Sequence, residues 1–232
     1  MGPSWLKPAA GLLVGAVLLR AVFPQPNAEW MMGTWVLTDQ DNVPFDLVLR
    51  PDGSSLTVTG KRHPDLGRPH RMASDQLIQT GRWQTWGNGI RSTYSDGWID
   101  TLQAGPEGVQ QWSWKPGTGL RTESPAVQLT SPLMGWVGAY ELEATEPGKP
   151  PYLAVLTSSG IAFNDIDQVA DGSWTLEGNE GVLIEWTSGR RTLLEPTADG
   201  IPKPEERFAV QHWDPGLPIE QPASAKRSGI RL

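Results

Sequence analysis

The 232-residue sequence predicts an all-β protein of two small antiparallel β-barrels or sandwiches in tandem, following one N-terminal transmembrane helix. Three observations support this prediction. The two halves of the chain repeat one motif pattern, short β-forming runs alternate with turn residues in both halves, and an apolar run lies near the N-terminus. The expected segments are an anchor at 1–29, a first module at 30–125, a linker at 126–132, a second module at 133–217 and an extended polar tail at 218–232.

The repeat is clearest in the centre of each half. Residues 81–102 contain the motifs Gly-Arg-Trp, Gly-Asn-Gly-Ile and Tyr-Ser-Asp-Gly. Residues 172–194 contain Gly-Ser-Trp, Gly-Asn-Glu-Gly-Val and Trp-Thr-Ser-Gly at the same spacing, once Glu180 is treated as an insertion. A duplicated sequence of this length indicates the same supersecondary unit formed twice.

Composition excludes several classes of function. The net charge of −7 and the pI near 5.0 argue against nucleic-acid binding, which needs a basic surface. The chain has no cysteine, so disulfides, thiolate nucleophiles and zinc–thiolate sites are excluded. Its 12 Trp against 3 Tyr and 4 Phe are unusual, and Trp suits small cores, protein interfaces and the membrane–water boundary.

The N-terminal segment favours a membrane anchor. Residues 8–23 are apolar except for Arg20, and as a helix they would span about 24 Å, somewhat less than the roughly 30 Å hydrocarbon core. Trp5 and Lys7 extend this length at the interface. A cleaved signal peptide is the alternative, but its best cleavage pattern, ending at Ala28, has Pro26 at the −3 position. An uncleaved single-pass anchor is the preferred interpretation.

The same segment suggests a partner within the membrane. Gly11 and Gly15 form a small-xxx-small motif, which lets a second helix approach closely, and Arg20 either pairs with a partner or reaches the headgroups. We therefore expect these residues to contact integral membrane protein subunits. Lys7 precedes the helix and acidic residues follow it, which places the β modules on the periplasmic or extracytoplasmic side.

The body of the chain predicts antiparallel meanders. Each half contains about seven short β runs, separated by turn sequences such as Pro-Asp-Gly, Asn-Gly and Ser-Gly. A sheet of that size closes on itself to remove its edges. The first module also carries an insertion at 61–79 that the second lacks, and its arginines, histidines and prolines predict an exposed basic loop.

The start of the first module resembles that of lipocalin-like domains. Residues Gly33-Thr34-Trp35 match the Gly-x-Trp that begins the first strand of those domains, and Gly138-Ala139-Tyr140 takes the same place in the second module. The resemblance implies up-and-down barrels with Trp35 and Tyr140 at their floors, sometimes with an apolar ligand inside. A lipid or a pigment is the ligand class that it would imply here.

Residues that could carry out chemistry are few. His63 and His70 lie in the basic insertion at a spacing that fits no preformed metal site, and His212 lies on a predicted strand. A glycosidase needs two carboxyl groups about 5–10 Å apart across a cleft. The acidic pair Asp96 and Asp100 is not repeated in the second module, and turn formation explains Asp96. The sequence thus predicts no catalytic residue, metal site or cofactor.

The aromatic residues divide by whether the repeat preserves them. Positions with an aromatic residue in both modules predict core or repeat-defining sites, whereas tryptophans found in one module are candidates for a contact surface. The predicted repeat core is Trp35, Trp83, Trp114, Tyr140, Trp174 and Trp213. The predicted interface residues are Trp86, Trp98, Trp112 and Trp136.

Together these features predict a non-enzymatic, membrane-anchored structural subunit. Its β modules would bind the extramembrane surface of a larger complex, for which a respiratory or photosynthetic assembly is a possible host. The alternative is a lipocalin-like binder of a small hydrophobic ligand such as a lipid or pigment. A carbohydrate-active hydrolase is the least favoured third reading.

Overall fold

A computed structural model describes residues 28–39, 42–58, 78–146, 148–165, 171–178, 181–218 and 226–232. Within this part of the chain, the protein forms two closed, eight-stranded antiparallel barrels in tandem. Every strand pairs with the next one along the chain, and the last strand of each barrel pairs with its first. The predicted all-β duplication is confirmed, and the fold agrees with lipocalin-like up-and-down barrels.

Two 3-10 helices and sixteen strands make up the described structure. Barrel 1 comprises β1 (Gly33–Thr38), β2 (Pro44–Leu49), β3 (Ser54–Val58), β4 (Ile78–Trp86), β5 (Gly89–Tyr94), β6 (Ile99–Gly105), β7 (Gly108–Trp114) and β8 (Arg121–Leu129). Barrel 2 comprises β9 (Gly138–Leu142), β10 (Tyr152–Leu156), β11 (Ile161–Asn164), β12 (Asp171–Leu176), β13 (Val182–Trp186), β14 (Arg191–Leu194), β15 (Arg207–Trp213) and β16 (Arg227–Arg231). The helices η1 (Glu29–Met31) and η2 (Pro132–Trp136) precede the two barrels.

The closing strand of each barrel is the element that the sequence did not reveal. The expected linker at 126–132 contributes its first residues to β8, and the expected tail at 218–232 contains β16. Both strands pair with the first strand of their barrel, roughly ninety residues earlier in the chain. Because this pairing depends on residues far apart in the chain, the sequence around each closing strand gives little indication of it. Each module therefore has eight strands and not the expected seven.

Equivalent aromatic residues, Trp35 and Tyr140, lie at the floor of the two barrels. In barrel 1, Trp35 donates its indole N–H to the carbonyl of Met31 in η1, at 2.7 Å. In barrel 2, Tyr140 donates its hydroxyl to the carbonyl of Trp136 in η2, also at 2.7 Å. The aromatic side chain thus fills the barrel and satisfies a carbonyl at the end of the helix that enters it.

The Gly-x-Trp motif in the centre of each repeat has a steric reason. A Cβ atom on Gly81 would lie 2.6 Å from the carbonyl oxygen of Thr93 on the neighbouring strand, and one on Gly172 would lie 2.6 Å from that of Glu185. Real Cβ atoms do not approach an oxygen so closely. Glycine is therefore required where β4 pairs with β5 and where β12 pairs with β13.

The two barrels share one apolar contact. Strand register places Val48, Leu56 and Val58 on the outer face of barrel 1, yet all three are buried in the hydrophobic cluster of barrel 2. The cluster also contains Ala139 and Val155, which face outward from barrel 2. Strand β2 is therefore buried on both faces, inside by its own barrel and outside by the other.

Polar contacts lie at the edge of this apolar contact. The backbone N–H of Ser158 donates to a carboxylate oxygen of Asp46 at 2.8 Å, and the hydroxyl of Thr34 donates to the carbonyl of Met134 at 3.2 Å. Burial raises the pKa of Asp46, and the hydrogen bonds from Ser158 offset part of this rise.

The predicted membrane segment falls outside the described residues, and so do Gly11, Gly15 and Arg20. Most of the basic insertion at 61–79, with His63 and His70, also lies outside them. Within the described ranges, no helix has the length and apolar character needed to cross a bilayer.

Candidate functional site

The outer face of barrel 1 carries a row of matched side chains on β5, β6 and β7. Arg91 lies opposite Thr101, and Thr101 lies opposite Trp112. Residues directly opposite each other in antiparallel strands lie on the same face of the sheet. Their inward neighbours, such as Ile90 and Leu102, are fully buried in the barrel core, so this row faces outward.

This row forms the floor of a groove of about 550 Å³. Its walls come from β4, from the end of β7 and from the turn that leads into β8. Among the described residues that line it are three tryptophans and three cations, and no carboxylate. These residues, called the Trp groove below, are Trp86, Trp112, Trp114, Arg91, Lys115 and Arg121.

The guanidinium of Arg91 is held between aromatic rings. Its Cζ atom lies 3.4 Å from the ring centroid of Trp86 and 5.5 Å from that of Trp114. Such cation–π stacking fixes the plane of the guanidinium and leaves its edge free to bind an anion. Trp86 is nevertheless 43% exposed, which is unusual for so large an apolar side chain.

Two polar atoms on the groove floor have no partner among the described residues. The hydroxyl oxygen of Thr101 and the Nε atom of Arg91 are both buried and make no hydrogen bond. Thr101 is only 5% exposed. A buried donor or acceptor that is left unpaired costs roughly 1–3 kcal/mol. A ligand that supplies the missing hydrogen bonds would recover that cost.

The corresponding face of barrel 2 has a different character. The repeat aligns Arg91 with Leu183, Trp112 with Gln211, and Lys115 with Asp214. Strand register confirms the correspondence, because Leu183 lies opposite Leu193 and Leu193 lies opposite Gln211. Described residues of barrel 2 line a groove of about 540 Å³, but its walls combine one tryptophan, Trp186, and two arginines with the carboxylate of Glu185. The set of three tryptophans and three cations without a carboxylate belongs to the groove of barrel 1, and the second module carries an acidic residue where the first has Lys115.

The four tryptophans predicted as interface residues separate into two groups. Trp86 and Trp112 lie in the Trp groove. Trp98, at 7% exposure, packs into the core of barrel 1, and Trp136, at 4%, packs into the cluster of barrel 2 beside Tyr140. The prediction is corrected for these last two, because being unique to one module does not distinguish an outer position from an inner one.

The residues predicted as the repeat core have mostly buried positions. Trp35, Tyr140, Trp174 and Trp213 are buried, and Trp83 packs against the core of barrel 1. The indole N–H groups of Trp83 and Trp174 donate, each at 2.8 Å, to backbone carbonyls of the equivalent residues Arg50 and Thr157. Trp114 is only partly buried and lines the Trp groove, so it belongs to the surface site.

The interior of barrel 2 holds a closed polar chain. The indole N–H of Trp186 donates to the hydroxyl of Thr192 at 3.0 Å, and that hydroxyl lies 3.1 Å from Nδ1 of His212. Nε2 of His212 lies 3.2 Å from the carbonyl oxygen of Glu143. A carbonyl can only accept, so Nε2 carries the proton and Nδ1 accepts from Thr192. Burial lowers the pKa of His212 to about 4, with Arg190 and Arg227 nearby, and the imidazole is neutral.

The interior of barrel 1 is polar at the same level. Ser92, Asp100 and Ser113 lie side by side on the inner face and are fully or almost fully buried. The hydroxyl of Ser92 lies 2.5 Å from that of Ser55. The hydroxyl of Ser113 and the side-chain Nε2 of Gln111 have no hydrogen-bond partner among the described residues. Sequence analysis noted Asp100 but missed this inner polar row.

Three aspartates, Asp96 among them, have structural hydrogen bonds in the described part of the chain. Asp39 accepts from the backbone N–H of Val43 and Asp165 from that of Leu153, both at 2.8 Å, while Asp96 accepts from the side chain of Gln79 at 2.9 Å. No cluster of three or more metal-ligating side chains occurs within the described ranges. No protein-family model matches the chain, and no curated protein has a significantly similar sequence.

Proposed function

We propose that this protein is a non-enzymatic docking subunit of a membrane protein complex, and that the Trp groove of barrel 1 is its main contact surface. The proposal rests on one observation, the difference between the two barrels on the outer face formed in barrel 1 by β5, β6 and β7. Three tryptophans and three cations line a concave site on barrel 1, and the described residues that match Arg91 and Trp112 in barrel 2 are Leu183 and Gln211.

The composition of the groove supports protein binding. Tryptophan and arginine are the residues most enriched among those that dominate binding energy, and such residues cluster in concave, desolvated sites. The described barrels are both closed, so a partner cannot add a strand to a free edge and must bind a side-chain surface. The Trp groove offers an aromatic side-chain surface of this kind on barrel 1.

The membrane part of the proposal rests on the N-terminal sequence. Residues 8–23 are apolar except for Arg20 and long enough to approach a full span, and Gly11 and Gly15 offer a face for helix packing. Trp30, directly before barrel 1, is 46% exposed, as expected for an aromatic residue at a membrane interface. The anchor would hold the Trp groove near its partner and so raise the effective concentration of the partner at the groove.

The barrel interiors favour this role over that of a lipid or pigment carrier. Barrel 1 is polar along its inner row at Ser92, Asp100 and Ser113, which does not suit an apolar guest. Barrel 2 is occupied by the hydrogen-bonded chain through Thr192 and His212. A hydrophobic ligand would leave these buried polar groups unpaired.

The test is purification of the tagged full-length chain in mild detergent. We expect the wild type to be recovered with other subunits, and a double Trp86→Ala, Trp112→Ala variant to be recovered alone. The matched control is Ile161→Ala with Leu176→Ala, which removes two exposed apolar residues from barrel 2 and should keep the subunits. Recovery of the wild type as a lone monomer would contradict the proposal.

A further inference from the structure

We infer that the Trp groove binds an acidic segment of a protein partner, whose carboxylates contact Arg91, Thr101 and Arg121 while its apolar side chains cover Trp112. This inference rests on the proposed docking function and adds the chemistry of the partner. Charge, hydrogen-bonding capacity and shape each contribute to the argument.

Charge is the first step. The whole chain has a net charge of −7, yet three cations and no carboxylate are found among the described residues that line the groove. Arg91 and Arg121 lie on strands, and Lys115 lies on the turn between β7 and β8. A local positive site on an acidic protein attracts an anionic group and orients the approach of an acidic partner.

Hydrogen bonding is the second step. Arg91 is stacked on Trp86, so its guanidinium plane is fixed and its Nε–H is a buried donor that has no partner among the described residues. The hydroxyl of Thr101, directly opposite on the next strand, can donate to the same group. A carboxylate accepts from both at once, because it has two oxygens and about four lone-pair directions.

Shape distinguishes a protein segment from a membrane surface. The hydroxyl of Thr101 lies at the floor of the groove, whereas the exposed side chains of Trp86 and Leu120 line its rim. A flat bilayer would touch the rim and leave the floor unpaired. An extended chain can place alternate side chains into the groove, so that a carboxylate reaches the floor and an apolar neighbour packs on Trp112.

The experiment uses photo-cross-linking of the full-length protein in its native membrane. A photoreactive amino acid replaces Leu120 at the groove rim, or Ile161 on barrel 2 as the matched control, and cross-linked peptides are identified by mass spectrometry. The inference predicts that Leu120 cross-links to an acid-rich peptide of another subunit and that Ile161 does not. Cross-links from Leu120 to lipid, to a second copy of this chain or to a peptide without acidic residues would overturn it.

Charge reversal gives the second readout. Arg91→Glu with Arg121→Glu should lower subunit recovery about tenfold or more, since the new carboxylates would repel those of the acidic partner. The control, Arg207→Glu on exposed barrel 2 surface, should have no effect. Wild-type recovery should fall when salt rises from about 0.1 M to about 1 M, because the screening length shortens from about 10 Å to about 3 Å.

The two failures differ in what they show. If the wild type carries no partner, the docking function itself fails. If the charge-reversed protein keeps its partner and only the Trp86→Ala, Trp112→Ala variant loses it, docking stands and the acidic partner is ruled out.

Discussion

The two barrels share one framework and differ in what they place on it. Both anchor a floor aromatic to the preceding 3-10 helix, through Trp35 in one and Tyr140 in the other. Both have a glycine, Gly81 or Gly172, at a point where the paired strand leaves no room for a Cβ atom. These shared positions make the same hydrogen bond or have the same steric constraint in both barrels.

The differences are concentrated in two places. On the outer face, Arg91 and Trp112 of barrel 1 correspond to Leu183 and Gln211 of barrel 2. On the inner face, Ser113 corresponds to His212, which completes a hydrogen-bonded chain in barrel 2. The two barrels thus share a framework and differ in one inner polar row and in the residues of one outer face. This difference is the reason why the docking surface is proposed on barrel 1 and not on barrel 2.

The largest expected effect tests the shared framework. Trp35→Ala and Tyr140→Ala should each lower the free energy of unfolding by about 3–5 kcal/mol, because each removes a fully packed aromatic side chain. Chemical denaturation followed by circular dichroism measures both. Since the barrels share the apolar cluster around Leu56, we expect each variant to unfold in one transition. A loss below about 1 kcal/mol in one barrel would show that its floor is not structural.

The pH dependence of barrel 2 is the next effect. His212 titrates at about 4 in the folded protein against 6.5 in the unfolded chain, so the unfolded state binds the proton first as pH falls. The free energy of unfolding is therefore unaffected by this group above pH 6.5. It falls as the pH drops from 6.5 towards 4, by about 3 kcal/mol in total. Denaturation curves of the wild type and His212→Gln across this interval check it. Equal pH slopes in the two proteins would contradict the assignment.

A matched pair of inner substitutions sharpens the comparison of the interiors. Thr192→Val keeps the side-chain shape but breaks the chain from Trp186 to His212, so it should cost about 1–3 kcal/mol. Ser113→Ala removes a hydroxyl that has no partner among the described residues, so stability should be unchanged or rise by about 1 kcal/mol. Urea unfolding of both variants measures this. A large loss in Ser113→Ala would show that barrel 1 contains an unrecognised polar network.

The smallest effect concerns the contact between the barrels. Burial raises the pKa of Asp46, so ionising this carboxyl costs more free energy in the folded protein than in the unfolded chain. Asp46→Asn keeps an oxygen for the N–H of Ser158 and should raise stability at pH 7 slightly, because the amide carries no charge to bury. The gain should vanish as pH falls through the raised pKa. A loss of stability at pH 7 would show that the charge itself is needed.

Much of the fold could be predicted because its signals are local. The Gly-x-Trp motifs at Gly81 and Gly172 and the turn sequences between short β runs specify hairpins, and their repetition specifies two modules. The closing strands β8 and β16 were missed because their pairing depends on the distant strands β1 and β9.

The candidate site could be predicted in part. Trp86 and Trp112 were found because the second module lacks them, but the same criterion also selected Trp98 and Trp136, which are buried. Strand parity would have helped for β7, where Gln111 and Ser113 point inward and Trp112 between them points outward. Arg91, like Trp112, is not repeated in the second module, where its counterpart is Leu183. It was not predicted as a site residue because charged residues are common on protein surfaces.

The most direct test of the central claim is hydroxyl-radical footprinting of the assembled and dissociated protein. The account predicts that Trp86 and Trp112 are oxidised in the isolated chain and protected in the complex. Ile161 and Leu176, exposed on barrel 2, should be oxidised equally in both. Equal oxidation of Trp86 in both states, together with protection of the barrel 2 residues, would contradict the assignment of barrel 1 as the docking module.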